Sequence, residues 1–261
     1  MLSRREGEGM SNLKFDFADK TVLVIGGTSG IGLATADLFA SSGAQVMVAG
    51  PDEDQGREIV AKFSGSVAFH AVDVRDESAV KLLIQAMTEC WGRIDIAINN
   101  AGIEGPFGPV EALSDEDCQR IIDINLKGIW HGMKYQILQM LSQGGGVIVN
   151  TGSSASLRAI SNVAMYSASK HAIAGLTKAS AVEHGRNNIR INAIAPGPVR
   201  TGLLERMVGG HIQLDEIANM VPMGRIAESS EIASAIAWLA SDSASFVTGH
   251  ILAVDGGLTV A

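Results

Sequence analysis

Of the two tyrosines in the 261-residue chain, Tyr135 and Tyr166, the second stands four residues before Lys170. On a helix that spacing puts both side chains on one face. A phenol with an ordinary pKa of ~10 is a poor base at neutral pH, but an adjacent ammonium stabilises the phenolate and lowers that value. Tyr166 so placed exchanges a proton with a carbinol or carbonyl oxygen. Taken alone, the same pair would suit any exposed helix face, so its surroundings carry the argument.

A second constellation is Gly26-Gly27-Thr28-Ser29-Gly30-Ile31-Gly32, between an apolar run at 21–25 and a helical pattern at 33–40. Missing β-carbons let the backbone turn tightly and approach a pyrophosphate, while the helix N-terminus offers unpaired N–H groups to its charge. Gly26, Thr28, Ser29, Gly30, Ile31 and Gly32 are therefore candidate cofactor contacts.

The elements that must position these groups are read from periodicity. Apolar runs at 21–25, 45–49, 67–72, 94–98, 146–150, 189–194 and 250–254 alternate with helical patterns. Runs apolar at nearly every position suit a parallel sheet covered on both faces. The expected fold is α/β: a single-domain, Rossmann-like, doubly wound parallel sheet of about seven strands, flanked by helices, with its ligand site at the carboxyl ends of the strands. Residues 1–19 read as an extension and lead-in, with Met10 an alternative start, and 20–261 as the domain.

Composition narrows the partners. Twenty Lys+Arg against 28 Asp+Glu give a net charge of −8. That balance opposes non-specific binding to nucleic acid or an anionic membrane, leaving a small molecule as the expected partner. Cys90 and Cys118 have neither disulfide nor metal-ligand spacing, which fits thiols in a reducing cytoplasm and no metal. His131, His171 and His184 also lack ligand spacing and read as surface or packing residues.

The glycine loop, Asn99-Asn100-Ala101-Gly102 and Tyr166-Ser167-Ala168-Ser169-Lys170 together resemble the short-chain dehydrogenase/reductase family, over nearly the whole chain from Lys20 to Gly257. The resemblance implies a catalytic set of Asn125, Ser153, Tyr166 and Lys170. Ser153 would hydrogen-bond the substrate oxygen, with Ser154 the alternative register. Lys170 would also hold the nicotinamide ribose, and Asn125 would preserve a helix break and a water path to the lysine. By the same resemblance, Asp73 would bind the adenine amino group, Val74 would contribute backbone, and Asn100, Ala101 and Gly102 would line the cofactor. Pro196, Gly197, Val199 and Thr201 would lie beside the nicotinamide. Helical stretches at 115–143 and 164–184 resemble those forming subunit contacts in a homotetramer. Ile25 departs from the family's usual Thr, which implies a different local brace of the loop.

Cofactor choice rests on the end of the second strand, where a carboxylate would bind a ribose 2′-hydroxyl and a basic group a 2′-phosphate. Gly50 and Pro51 occupy the two diagnostic positions, so neither signature is present. Asp52, Glu53 and Asp54 would repel a dianionic phosphate. NAD is favoured, with Asp52 the candidate ribose contact, and NADP is the alternative.

The stretch at 199–224, with paired apolar residues and glycines, reads as a small mobile lid. Ser153, Tyr166, Leu157 and Met207 are candidate substrate contacts, with Ile103 and Ile160 as further wall residues. The expected reaction is reversible hydride transfer between a nicotinamide cofactor and a secondary alcohol or ketone with a hydrophobic or cyclic body. The rivals are reduction of an activated C=C bond and a noncatalytic dinucleotide sensor or scaffold.

Overall fold

The computed structural model describes residues 15–63, 65–209 and 213–261. Most of the lead-in at 1–19 and the centre of the lid therefore lie outside the described residues. In chain order the elements are β1 (Thr21–Ile25), α1 (Gly30–Ser41), β2 (Gln45–Gly50), α2 (Glu53–Lys62), β3 (Val67–Ala71), α3 (Glu77–Trp91) and β4 (Ile96–Asn99). Then come α4 (Asp115–Ile122), α5 (Gly128–Gln143), β5 (Gly146–Thr151), α6 (Ala164–His184), β6 (Ile189–Pro196), α7 (Gly202–Val208), α8 (Leu214–Met220), α9 (Ser229–Ala240) and β7 (Ile251–Val254). The strands form one seven-stranded sheet in the order β3-β2-β1-β4-β5-β6-β7, every pair parallel.

Alternation along the strands divides the core. Val22, Val24, Val46 and Val48 face a layer that includes Phe39 of α1 and Ile232 and Ile236 of α9. Leu23, Ile25, Met47 and Ala49 face the opposite layer, with Leu83 of α3, Met133 of α5 and Ile173 of α6. Both faces are buried because parallel strands need crossovers, and the crossover helices cover them. Phe17, ahead of β1, packs on Phe39 with ring centroids 4.6 Å apart.

One boundary differs from the sequence reading. β4 begins at Ile96 because the Asp95 carboxylate accepts from the backbone N–H and hydroxyl of Thr21, at 2.9 and 3.1 Å. The helical stretch 115–143 is interrupted by a π-helical turn over Asp123–Lys127, at the helix break that the resemblance implied around Asn125.

Register then creates the site. Ile25 pairs with Asn99, and Asn99 with Asn150, so β1, β4 and β5 end level. The Asn99 amide donates to Gln136 Oε1 and Asn150 Oδ1 at 3.0 and 2.9 Å. Gln136 returns a bond to Asn99 Oδ1 at 2.8 Å, and Asn150 continues to Thr177 Oγ1 at 3.0 Å. This buried chain ties α5 and α6 to the two central strands. The sheet order reverses between β1 and β4, and ligands of open α/β sheets bind outside such a reversal.

Candidate active site

A cleft of about 860 Å³ opens along that edge. At one end the loop after β1 turns into α1, and two glycines set its shape. A β-carbon on Gly26 (φ +78°) would lie 2.5 Å from the Ala101 nitrogen, and one on Gly32 would lie 2.0 Å from the Gly26 carbonyl oxygen. The Asn100 amide seals the turn by donating to that carbonyl at 2.9 Å. Helices α2 and α3 are capped by the carboxylates of Asp52 and Asp76. At the start of α1, by contrast, Ser29 makes no side-chain cap bond and the first turn holds no acid. Its N–H groups are thus available to an anion and not shielded by a local carboxylate. A dinucleotide pyrophosphate fits that cradle.

The acid–base groups come from β5 and α6. Ser153 follows β5 and opens a short 3₁₀ turn over Ser154–Ser156, where its hydroxyl accepts from the Ala155 N–H at 3.1 Å. Tyr166 and Lys170, one turn apart on α6, are both buried. Lys170 Nζ donates to the Thr151 carbonyl at 3.0 Å and lies 5.6 Å from the Tyr166 ring centroid. Asn125 sits within the π-helical turn, fully buried. Its Oδ1 accepts from Ile103 N–H at 2.8 Å, while Nδ2 donates to the Ile103 carbonyl and Ser169 Oγ at 2.9 and 3.1 Å. That amide joins the loop after β4 to α6.

Electrostatics run against the simplest reading of the Tyr-Lys pair. Burial pushes the Tyr166 phenol above its usual value, the Ser153 hydrogen bond opposes this, and the charge of Glu104 adds to the rise. Desolvation opposes the lowering expected from a neighbouring ammonium, and Lys170 is directed to Thr151. Burial also pulls Lys170 down, from 10.5 to about 8. Both groups resist charge for the same reason: the low-dielectric interior penalises the ionised form.

The cleft brings together most of the sequence-read residues. Gly26, Thr28, Ser29, Gly30, Ile31, Asp73, Val74, Asn100, Ala101, Gly102, Ser153, Tyr166, Lys170, Pro196, Gly197, Val199, Thr201 and Met207 line it, as do Ile103 and Ile160. Gly32 and Asn125 stand behind this lining. Two expectations are corrected. Asp52 lies outside the lining and caps α2, its Oδ1 accepting from the Asp54 and Gln55 N–H groups at 3.0 Å each. Leu157 points outward and is 42% exposed, since the 3₁₀ turn carries it away from the cleft. The Thr201 hydroxyl caps α7, accepting from Leu204 N–H at 3.4 Å.

Four arginines were not read from sequence as cleft residues: Arg75, Arg120, Arg158 and Arg206. Arg75 Nε donates to the Asp73 carboxylate at 2.9 Å. Arg206, on α7, pairs with Glu104 in the loop after β4 at 2.7 Å, bridging the mouth. Only Arg75, two residues from Asp73, had a local signal. Among the described residues no helix is long and apolar enough to cross a membrane.

A doubly wound sheet with a glycine cradle beside buried Ser, Tyr and Lys defines a dinucleotide-binding protein with an acid–base centre. Residues 26–259 match the family profile described as enoyl-(acyl carrier protein) reductase. The 2,5-dichloro-2,5-cyclohexadiene-1,4-diol dehydrogenase of Sphingobium indicum is 42% identical over 246 residues, covering 94% of this chain and 98% of its own. The crystal structure of levodione reductase matches with TM-score 0.91 at 38% identity, covering 94% of this chain and 99% of that one. A 3-ketoacyl-(acyl-carrier-protein) reductase from Brucella melitensis, complexed with NADH, matches with TM-score 0.89 at 30% identity, covering 94% and 100%. The chain belongs to the short-chain dehydrogenase/reductase family.

The depressed Lys170 gives a stability test. Between about 8 and 10.5 the unfolded chain holds a proton that the folded protein lacks, so stability rises with pH across that window. Urea unfolding of the cofactor-free protein should gain up to about 3 kcal/mol relative to Lys170→Met between those pH values. Parallel curves for the two proteins would refute the burial penalty.

Proposed function

We propose that this protein catalyses reversible hydride transfer between a nicotinamide cofactor and a secondary alcohol or ketone with an apolar, cyclic body. The observation that carries this reading is the convergence of Ser153, Tyr166 and Lys170 on one cleft whose substrate end is walled by Ile103, Phe107, Ile160, Val163 and Met207. The ring-diol dehydrogenase related to this chain supports a cyclic substrate.

When bound, the nicotinamide supplies the hydride donor or acceptor. The chain supplies the rest. The glycine loop and the start of α1 hold the pyrophosphate, and Asp73 and the Asn100–Gly102 backbone hold the adenosine side. Ser153 orients the substrate oxygen. Tyr166 gives that oxygen a proton in reduction and takes one in oxidation, while Lys170 anchors the ribose. A phenol kept protonated by burial is ready as a general acid for ketone reduction, and alcohol oxidation requires its ionised form. The profile description names an enoyl reductase, but the hydroxyl of Ser153 beside the phenol suits a carbonyl oxygen better than a C=C bond. The full set with Asn125 exceeds what a noncatalytic sensor needs.

Tyr166→Phe should retain cofactor affinity and lose turnover by about 10²–10⁴. In the wild type, kcat/KM for alcohol oxidation should climb through the alkaline range as Tyr166 ionises, while ketone reduction stays level up to that range. Near-normal turnover in the folded Phe variant would reject the assignment.

NAD is the proposed cofactor. A β-carbon at Gly50 would come 2.9 Å from Thr28 Cγ2, so the end of β2 is closed to larger side chains. Beyond it stand Asp52, Glu53 and Asp54, and the nearby cation Arg57 is paired with both Glu53 and Asp54. Arg57 is thus not free for a 2′-phosphate. Measured kcat/KM should favour NAD, and a tenfold preference for NADP would contradict the proposal.

The chain is further proposed to work as a homotetramer in the cytoplasm. Trp130, Leu138 and Leu141 leave apolar surface exposed on α5, and Cys90 and Cys118 are free thiols. Sedimentation should give four times the chain mass, and a monomer would reject the assembly.

A further inference from the structure

Three of the four arginines along the cleft are neutralised by carboxylates. Arg75 holds Asp73, Arg206 holds Glu104, and Arg120 lies 3.9 Å from Asp117. Arg158 is different. No carboxylate pairs with it among the described residues, although its side chain lines the cleft. Its Nη1 donates to the Leu258 carbonyl at 2.9 Å, and its Nε is buried without a partner. A guanidinium remains charged at any physiological pH, and a buried donor left unpaired is costly.

Its location gives that charge a purpose. The Arg158 N–H bonds the Ser154 carbonyl at 3.1 Å, so the residue closes the 3₁₀ turn that Ser153 opens. It thus stands one short turn from the hydroxyl that orients the reacting oxygen. Apolar Ile160, Val163 and Leu258 line the same cleft. Glu104, the carboxylate at the same mouth, is engaged by Arg206 and makes no ion pair with Arg158. A cation without an ion-pair partner in such a cleft is matched best by an anion, through a charge-assisted hydrogen bond.

We propose that Arg158 forms a subsite for a carboxylate carried by the substrate, so that the preferred substrates are cyclic secondary alcohols or ketones bearing an acid group away from the reacting carbon. The proposal rests on the hydride-transfer reading for the identity of the cleft, but its first test does not require turnover. Cyclohexanecarboxylate and cyclohexanecarboxamide, which have the same ring and differ in charge, are titrated calorimetrically into the full-length protein with saturating NAD. Wild type should bind the carboxylate about 10- to 100-fold more tightly than the amide. Arg158→Gln keeps a donor for the Leu258 carbonyl while removing the charge; it should bring the two ligands to parity with amide binding unchanged. Arg158→Lys should keep part of the preference, which separates charge from a folding defect.

The kinetic counterpart is the ratio of kcat/KM for 4-hydroxycyclohexanecarboxylate over cyclohexanol, expected to fall in Arg158→Gln through KM. Equal binding of the two probes by wild type, or an undiminished preference in Arg158→Gln, overturns the subsite. Tyr166→Phe tells the two readings apart: it should abolish turnover while leaving carboxylate binding in place.

Discussion

Asn99 commits its side chain wholly to the interior, donating to Gln136 and Asn150 and accepting from Gln136 in return. Because it is the last residue of β4, these bonds hold the ends of the two central strands level and draw α5 and α6 onto them. A buried amide left partly satisfied would be costly, so the network has one satisfactory arrangement and the strands one register. The chemistry inherits that register. Thr151 ends β5 beside it, its carbonyl receives Lys170, and Ser153 follows two residues later. Asn100, next along β4, seals the glycine loop. A slip of one residue would move every one of these groups to the wrong face.

The same burial that orders the site opposes its ionisation. Tyr166 is held up and Lys170 is lowered only to about 8, so at neutral pH the resting site holds a neutral phenol beside a weakened ammonium. The simple picture of a lysine charge acidifying its tyrosine neighbour treats two side chains on a solvated helix. In the folded protein desolvation is the larger effect, and the lysine has a carbonyl to bind. Asn125 contributes by geometry: it keeps the π-helical turn and fastens the loop bearing Ile103 to α6.

Legibility in the sequence followed the range of the interactions. The glycine loop, the Tyr-Lys pair and the apolar strands are local patterns whose periods and spacings read directly, and the seven strands appear close to where they were expected. Asp52 read as a cofactor ligand because distance along the chain was the available measure; its commitment as a helix cap depends on where α2 starts. Leu157 read as a wall residue, yet it follows the 3₁₀ turn with 42% of its surface exposed and lies outside the cleft lining. The break in the 115–143 helix has no Gly or Pro at its centre, so it was legible through the resemblance at Asn125 and not through local propensity. The Arg206–Glu104 and Arg158–Leu258 contacts span about a hundred residues of chain, and no short pattern encodes them.

The bridge between Arg206 and Glu104 is a weak tie between α7 and the loop after β4. Arg206 is largely in water while Glu104 is mostly sheltered, and a pair of that kind contributes about 0–1 kcal/mol. By itself it favours the paired over the separated side chains by no more than roughly fivefold. It is a catch rather than a lock. Ions at physiological concentration weaken it further, so it adds little to what joins α7 to the loop after β4.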